Sequence, residues 1–189
     1  MEILNIINDT FKAPSEVKDY FKGFVESHPE TFNSRENEVG HITCSMLVMD
    51  ESRENVLLTH HKKFGIWLQL GGHWDDSNET ALQTALRETS EEGYGEKRIV
   101  CDVFFNGRPF DLDAHEVNDP KGKHIHFDIC FVCIVKNEFE VNVSHESHDV
   151  KWFKIDEIIN TPMVNSRLNR LLSKSSKVTG ETVSYEVII

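Results

Sequence analysis

Apolar residues along the chain fall into short runs separated by polar turns, and a helical period appears in only three places. Val17, Phe21, Phe24 and Val25 recur at helical spacing until His28-Pro29 ends the pattern, so residues 1–36 read as a helical N-terminal extension. His41 to Met49 is a nearly continuous apolar run that predicts a buried strand. Glu51 to Asn55 forms a polar turn, and Val56 to His60 predicts the strand paired across it. Ile66 to Leu70 leads into Gly71-Gly72, read as a glycine turn, after which Ala81, Leu82, Ala85 and Leu86 mark a second helix. Ile99 to Phe105, Ile125 to Val135 and Val150 to Phe153 continue the strand count. Asp156 to Leu172 reads as a last amphipathic helix, and residues 173–189 as a polar tail with room for a terminal strand. No internal repeat is visible, and periodicity alone gives a chain of mixed α and β structure.

The second helix carries the chemistry. Placed at about 100° per residue, Glu88, Glu91 and Glu92 share one face beside the apolar stripe. Glu88 and Glu92 form a like-charge i, i+4 pair, unfavourable by about 0.2–0.5 kcal/mol. All three lie near the negative end of the helix dipole, where cations are preferred, and the sequence offers almost nothing nearby to neutralise them. A divalent cation turns those penalties into ligation, because Mg²⁺ takes carboxylate oxygens and keeps waters for a phosphate substrate. The competing reading is a solvated acidic helix face.

Residues 71–95 resemble the Nudix box, the signature of Nudix hydrolases: Gly, any five, Glu, any seven, Arg-Glu-apolar-any-Glu-Glu-any-Gly-apolar. Seven residues separate Glu79 from Arg87, and Arg87-Glu88-x-x-Glu91-Glu92 matches the pattern. Six residues rather than five separate Gly72 from Glu79, which puts His73 at the glycine position. Thr89 replaces the apolar residue, and Tyr94 and Gly95 stand at the final glycine and apolar positions. The resemblance implies an α+β fold, the Nudix-type α/β/α sandwich with a curved mixed sheet, spanning 1–189 as a single domain. It also implies Mg²⁺ or Mn²⁺ held by Glu88, Glu91 and Glu92 with the backbone carbonyl of Gly71, Glu88 serving as ligand or as a base acting through water. Arg87 then orients the carboxylates through a bidentate pair, with Glu79 as its partner. Nudix enzymes often carry a late acidic residue ahead of a strand; Glu146 stands there, and a plain surface glutamate is the alternative.

Histidines are the second unusual feature. His124, His126 and Asp128 alternate on one strand face, and Asp111, Asp113 and His115 repeat that alternation upstream. Together with His41 and His73 they could form a second site, rich in imidazole and preferring Zn, Mn or Fe to Mg. The other readings are hydrogen bonding in the pocket wall and phosphate binding. Gly-Gly-His combined with His-x-His-x-Asp is similar to a subset of Nudix-like sequences. For stacking on a base, Trp74 is the better candidate, ahead of Phe105 and Phe110, while Trp67 reads as core. Lys62, Lys63, Arg108 and Lys123 are candidate basic residues near the pocket.

Composition narrows the partners. The net charge of −12 argues against nonspecific binding to nucleic acid or anionic membrane, which needs basic patches. No apolar stretch approaches the ~20 residues needed to span a bilayer, and the first residues lack a basic region followed by an apolar run, so a cytoplasmic location is expected. Cys130 and Cys133 sit three apart in a strand-like run and face opposite sides, so all four cysteines are expected to be buried and reduced. The expected function is a divalent-metal-dependent hydrolase cleaving a diphosphate linkage in a small nucleoside diphosphate-X substrate. One alternative is an enzyme like isopentenyl-diphosphate isomerase, whose Cys-Gly-His loop becomes Gly71-Gly72-His73 here. Another is a non-catalytic nucleotide- or metal-binding sensor. The group X, the general base and a homodimeric state are left open.

Overall fold

The computed structural model describes residues 2–76, 78–95, 99–119, 122–136, 140–175 and 178–187. Two helices precede the sheet, α1 (Glu2–Asp9) and α2 (Ser15–Ser27), where the sequence pattern showed only the second. Phe21, Phe24 and Val25 are the buried face of α2, and its end at His28 falls where Pro29 denies the next turn.

A mixed sheet forms the centre. Strand β1 (Gly40–Met49) lies parallel to β7 (Gly122–Val135), with Gly40 opposite Ile125 and Met49 opposite Ile134. Both strands change partner along their other edge. Antiparallel to β1 run β2 (Asn55–His61) at Val48–Met49 and β4 (Leu70–His73) at Thr43–Met46. Against β7 run β6 (Asp111–Asp119) and β5 (Ile99–Phe104). The outer positions are filled by β3 (Ile66–Leu68) and β8 (Ser147–Lys154) on β2, and by β9 (Thr182–Val187) on β5.

Two apolar clusters cover the two faces. Ile42, Cys44, Met46 and Val48 of β1, with Phe127, Ile129 and Phe131 of β7, pack against Ala81, Ala85 and Leu86 of helix α3 (Ala81–Gly93). The opposite face carries Leu47, Met49, Cys130, Val132 and Ile134 under α4 (Ile155–Ile158) and α5 (Ser166–Ser175). Cys130 and Cys133 thus fall in different clusters, and all four cysteines are buried and free. On the α5 side the first halves of β1 and β7 are polar: His41, Thr43 and Ser45 precede Leu47 and Met49, and His126 and Asp128 precede Cys130 and Val132. That polar half of an otherwise apolar face is where the site forms.

Three expectations need correction. Gly71 and Gly72 are not a turn but lie in β4, because the edge of β1 offers them a ladder to complete. The expected helix over Asp156–Leu172 is two, since Asn160-Thr-Pro162 interrupts it and Asn160 adopts a left-handed φ of 61°. Strand β6 was not counted, although Asp111, Asp113 and His115 alternate with Leu112 and Ala114, because only two apolar residues mark its inner face before Glu116. Among the described residues no helix is long and apolar enough to cross a membrane.

Candidate functional site

Helix α3 begins at a capping box: Thr80 Oγ1 accepts from the Gln83 backbone N–H (3.2 Å), and Gln83 Oε1 accepts from the Thr80 N–H (2.8 Å). Thr89 takes an apolar position without cost, since its hydroxyl donates to the Ala85 carbonyl at 2.7 Å inside the buried face. The helix exits through buried Tyr94 into Gly95, whose φ of 51° supplies the left-handed turn.

Its last two turns present Glu88, Glu91 and Glu92 to the edge of β4. Their repulsion is relieved by the one arginine of the motif, and at more acids than the pair with Glu79. Arg87 donates from Nε to Glu79 (3.0 Å) and from Nη1 to both Glu88 (2.9 Å) and Glu91 (3.2 Å). One guanidinium therefore aligns three carboxylates, as the bidentate geometry of arginine allows. Glu92 lies on the far side, 6 % exposed, and accepts from the Gly71 N–H at 2.8 Å. Both glycines are needed for close approach. A Cβ on Gly71 would stand 2.5 Å from the Ser45 Cα, and one on Gly72 would stand 2.5 Å from the Glu88 carboxyl carbon.

Burial governs the charge state of these acids. It raises Glu88 from 4.5 to about 6, despite Arg87, and Glu92 from 4.5 to about 8, despite the Gly71 hydrogen bond. Two neighbouring carboxylates held above their ordinary range, one of them seated against Gly72, are a donor set suited to a hard divalent cation.

The three glutamates line a cavity of about 420 Å³ where β1 changes partner from β4 to β2. Its opposite wall brings in Glu146, His73, His126, Asp128 and Arg167. Asp128, 2 % exposed, is fully engaged: it accepts from Thr43 Oγ1 (3.0 Å), Ser45 Oγ (2.6 Å), Gln69 Nε2 (3.4 Å) and Arg167 Nη2 (2.9 Å). His115 is likewise held, with Nδ1 3.0 Å from Asp113 Oδ2 and Nε2 2.9 Å from Arg167 Nη1. The structure thus draws Asp128 and His115 into an ion network that anchors α5, together with the pair from Arg170 to Asp113 (2.7 Å).

The remaining histidines gather. The ring of His41 lies 4.9 Å from that of His73, 4.8 Å from His126 and 5.0 Å from His124. Parallel pairing sets His41 beside His126, and antiparallel pairing sets His73 opposite Thr43, so three adjacent strands deliver the rings to one face. Burial and the neighbouring rings hold His126 down to about 2, and burial with the nearby Arg35 holds His73 down to about 4. A second cavity of about 630 Å³ adjoins His41, His73 and His124.

Other sequence expectations fare unevenly. Lys63 lines both cavities and Lys123 the second, whereas Lys62 and Arg108 line neither. Trp74 is not placed to stack on a base: its indole N–H donates to the Glu79 carbonyl (2.9 Å) and its ring packs 6.0 Å from Phe32. Phe105 and Phe110 lie in the core, and the aromatic residue at the cavity is Phe64. No cysteine lines it among the described residues, which leaves the isomerase alternative without its acid. Arg35, Gln69 and Arg167 were missed. Arg35 pairs with Asp75 (Nε to Oδ1, 2.8 Å), and neither periodicity nor motif marks it.

A curved mixed sheet between helices, with a glutamate-bearing helix laid against a Gly-Gly strand, defines a Nudix-type α/β protein. The sequence model of the NUDIX domain matches residues 40–174, and the chain belongs to that family. Solved structures agree in fold. A NUDIX-family hydrolase from Clostridium perfringens superposes with a TM-score of 0.53 at 22% identity, covering 71% of this chain and 95% of its own. The C. elegans Ap4A hydrolase in a binary complex gives 0.53 at 18% identity, covering 71% and 94%. The NUDIX domain of Shewanella oneidensis NrtR, complexed with ADP ribose, gives 0.52 at 16% identity, covering 80% and 96%. A search of curated proteins gives no significant sequence match.

Proposed function

We propose that the protein is a divalent-metal-dependent hydrolase that cleaves a diphosphate linkage in a small nucleoside diphosphate-X compound. The observation that carries this reading is the pair Glu88, half-buried, and Glu92, buried, both raised in pKa and lining one cavity with Glu91. Glu88, Glu91 and Glu92, with the Gly71 carbonyl, would hold Mg²⁺ or Mn²⁺. Such an ion supplies charge stabilisation at phosphoryl oxygens and acidifies an attacking water. Arg87 fixes the carboxylates in place. Glu146, which lines the same cavity with a side chain 59% exposed, would take a proton from water. Arg35, Lys63 and Arg167 at the walls offer positive charge to phosphate groups, and Phe64 offers an apolar surface. Phosphoryl transfer asks mostly for positioning and charge stabilisation, and no nucleophilic side chain is required.

The cavity volume falls in the range of small-molecule sites, roughly 300–1,000 Å³. Ap4A and ADP ribose, named with two of the similar structures, are sensible first members of a substrate panel. The test is a hydrolysis screen of nucleoside diphosphate-X compounds with Mg²⁺, Mn²⁺ and Zn²⁺, products scored by mass, with wild-type protein and Glu91→Gln. Metal-dependent cleavage of one class, reduced about 10²–10⁴-fold by the substitution with folding intact, is the expected result. Silence from folded wild-type protein across the panel overturns the nucleotide assignment.

A further inference from the structure

We propose that His41, His73 and His126 form a second metal centre, distinct from the glutamates, that binds a transition ion of the zinc or cobalt type with one coordination position open to the cavity. It holds whether or not the substrate is a nucleotide. The geometric basis is direct. Each histidine presents one ring nitrogen such that the three atoms lie within 4.8 Å of one another. A tetrahedral ion with bonds of 2.0–2.1 Å needs ligand nitrogens about 3.4 Å apart, and small rotations about χ1 and χ2 on a rigid sheet close the difference. Three separate strands hold the residues, so the arrangement does not depend on a loop.

The donor set selects the ion. Three imidazoles and no carboxylate favour zinc, cobalt, nickel or copper over Mg²⁺ or Ca²⁺, which require oxygen. The two acidic candidates nearby are committed elsewhere. Asp128 receives four hydrogen bonds, and Asp113 is shared between Arg167, Arg170 and His115. His115 stands 5.7 Å ring to ring from His126 but is held by Asp113 and Arg167, so it is a neighbour of the centre rather than a ligand. His124 has Nδ1 3.3 Å from the Gly122 carbonyl and packs 5.1 Å from His126 as part of the wall. Three nitrogens leave a tetrahedral ion one site short, the condition of a catalytic rather than a structural centre. His73 and His126 line the cavity shared with Glu88, Glu91 and Glu92, so a water or a substrate oxygen in that cavity completes the sphere.

The test uses the full chain, treated with chelator and then titrated with Co²⁺ and with Zn²⁺. Bound metal is counted by mass spectrometry after desalting, and the Co²⁺ visible absorption is recorded. A variant carrying Glu88→Gln, Glu91→Gln and Glu92→Gln silences the other site. We expect one tightly held equivalent in wild-type and in this variant, with the intense absorption of four- or five-coordinate cobalt. His73→Ala and His126→Ala should each weaken it by more than the 10–100-fold typical of groups that only support a ligand, and His115→Ala should leave it within a few fold. Should His126→Ala not fold, His73→Gln on edge strand β4 carries the same test. The proposal is overturned if wild-type protein retains no ion, or if cobalt gives only weak six-coordinate absorption. It is also overturned if the ion survives the histidine changes and leaves with the glutamate ones. Because the readout is bound metal rather than turnover, failure here leaves the hydrolase reading untouched, and the reverse is equally true.

Discussion

The proposed cation at the glutamate site makes a specific demand on stability at alkaline pH when it is removed. Burial raises Glu92 from 4.5 to about 8 in the metal-free protein. Between those values the folded state keeps a proton that the unfolded chain has released, so stability falls as pH rises, by about 1.4 kcal/mol per unit. The full interval is worth about 5 kcal/mol, but part of it is masked. His73 and His126, held down to about 4 and about 2, resist protonation in the fold, so their contribution is present above 6.5 and is lost as pH falls. Glu88, raised to about 6, has finished titrating by then. From pH 6.5 to 8 Glu92 removes about 1.6 kcal/mol, the two histidines, still half protonated in the unfolded chain at 6.5, return about 0.8 kcal/mol, and the net loss is about 1 kcal/mol. For a chain of this length that lowers Tm by about 2–4 °C. Thermal unfolding in chelator at half-unit steps measures it directly. Saturating Mg²⁺ should flatten the slope by favouring the ionised acid, with the Tm gap between Mg²⁺ and chelator widening as pH rises. Glu92→Gln keeps an acceptor for the Gly71 N–H and removes the titration, so its metal-free Tm should no longer fall over the same window. A Glu92→Gln protein with the wild-type slope, or a metal-free wild-type Tm that does not move from pH 6.5 to 8, would refute the reasoning.

Further substitutions test the surrounding parts. Gly72→Ala places a methyl 2.5 Å from the Glu88 carboxyl carbon and should displace that acid by about 1 Å, costing about 10²-fold in turnover with Tm nearly unchanged. Arg87→Lys loses the fork that spans Glu79, Glu88 and Glu91; Mg²⁺ affinity measured by calorimetry should fall about 10–100-fold. Asp128→Asn removes one of the two carboxylates that hold Arg167 and leaves Asp113 3.3 Å from its Nε, so its cost in denaturant unfolding should stay below the roughly 3–5 kcal/mol of a fully stranded buried charge.

The glutamate helix was legible because its cues are local: an apolar stripe of period 3.6 and acids at i, i+3 and i+4. Strands β1, β2 and β7 were legible for the same reason, being largely apolar runs, and β8 from the short stretch Val150 to Phe153. The glycines misled, because a Gly-Gly pair is the usual mark of a turn and only the free edge of β1 explains a strand there. Strand β6 hid behind Asp111, Asp113 and His115, whose partners Arg167, Arg170 and Lys174 lie more than fifty residues away on α5. Trp74 was misjudged because position after the metal loop says nothing about where an indole N–H finds its acceptors. The histidines were suspected as a group, but their sorting depends on register. A parallel β1–β7 ladder decides that His41 meets His126 while Asp128 meets Thr43.

That same ladder has a bearing on how the site comes into being. Thr43 and Asp128 are 85 residues apart in sequence, and every pair between β1 and β7 shares that separation. Closing so long a loop costs chain entropy before any contact repays it, which makes this pairing a slow step relative to the hairpin of β1 and β2. During synthesis the first strand must wait for the seventh to leave the ribosome. The glutamate helix can form and cap itself in the meantime, but its carboxylates have no opposite wall. The site is therefore assembled late and all at once, and slowing the β1–β7 closure would delay the appearance of activity more than that of helical signal.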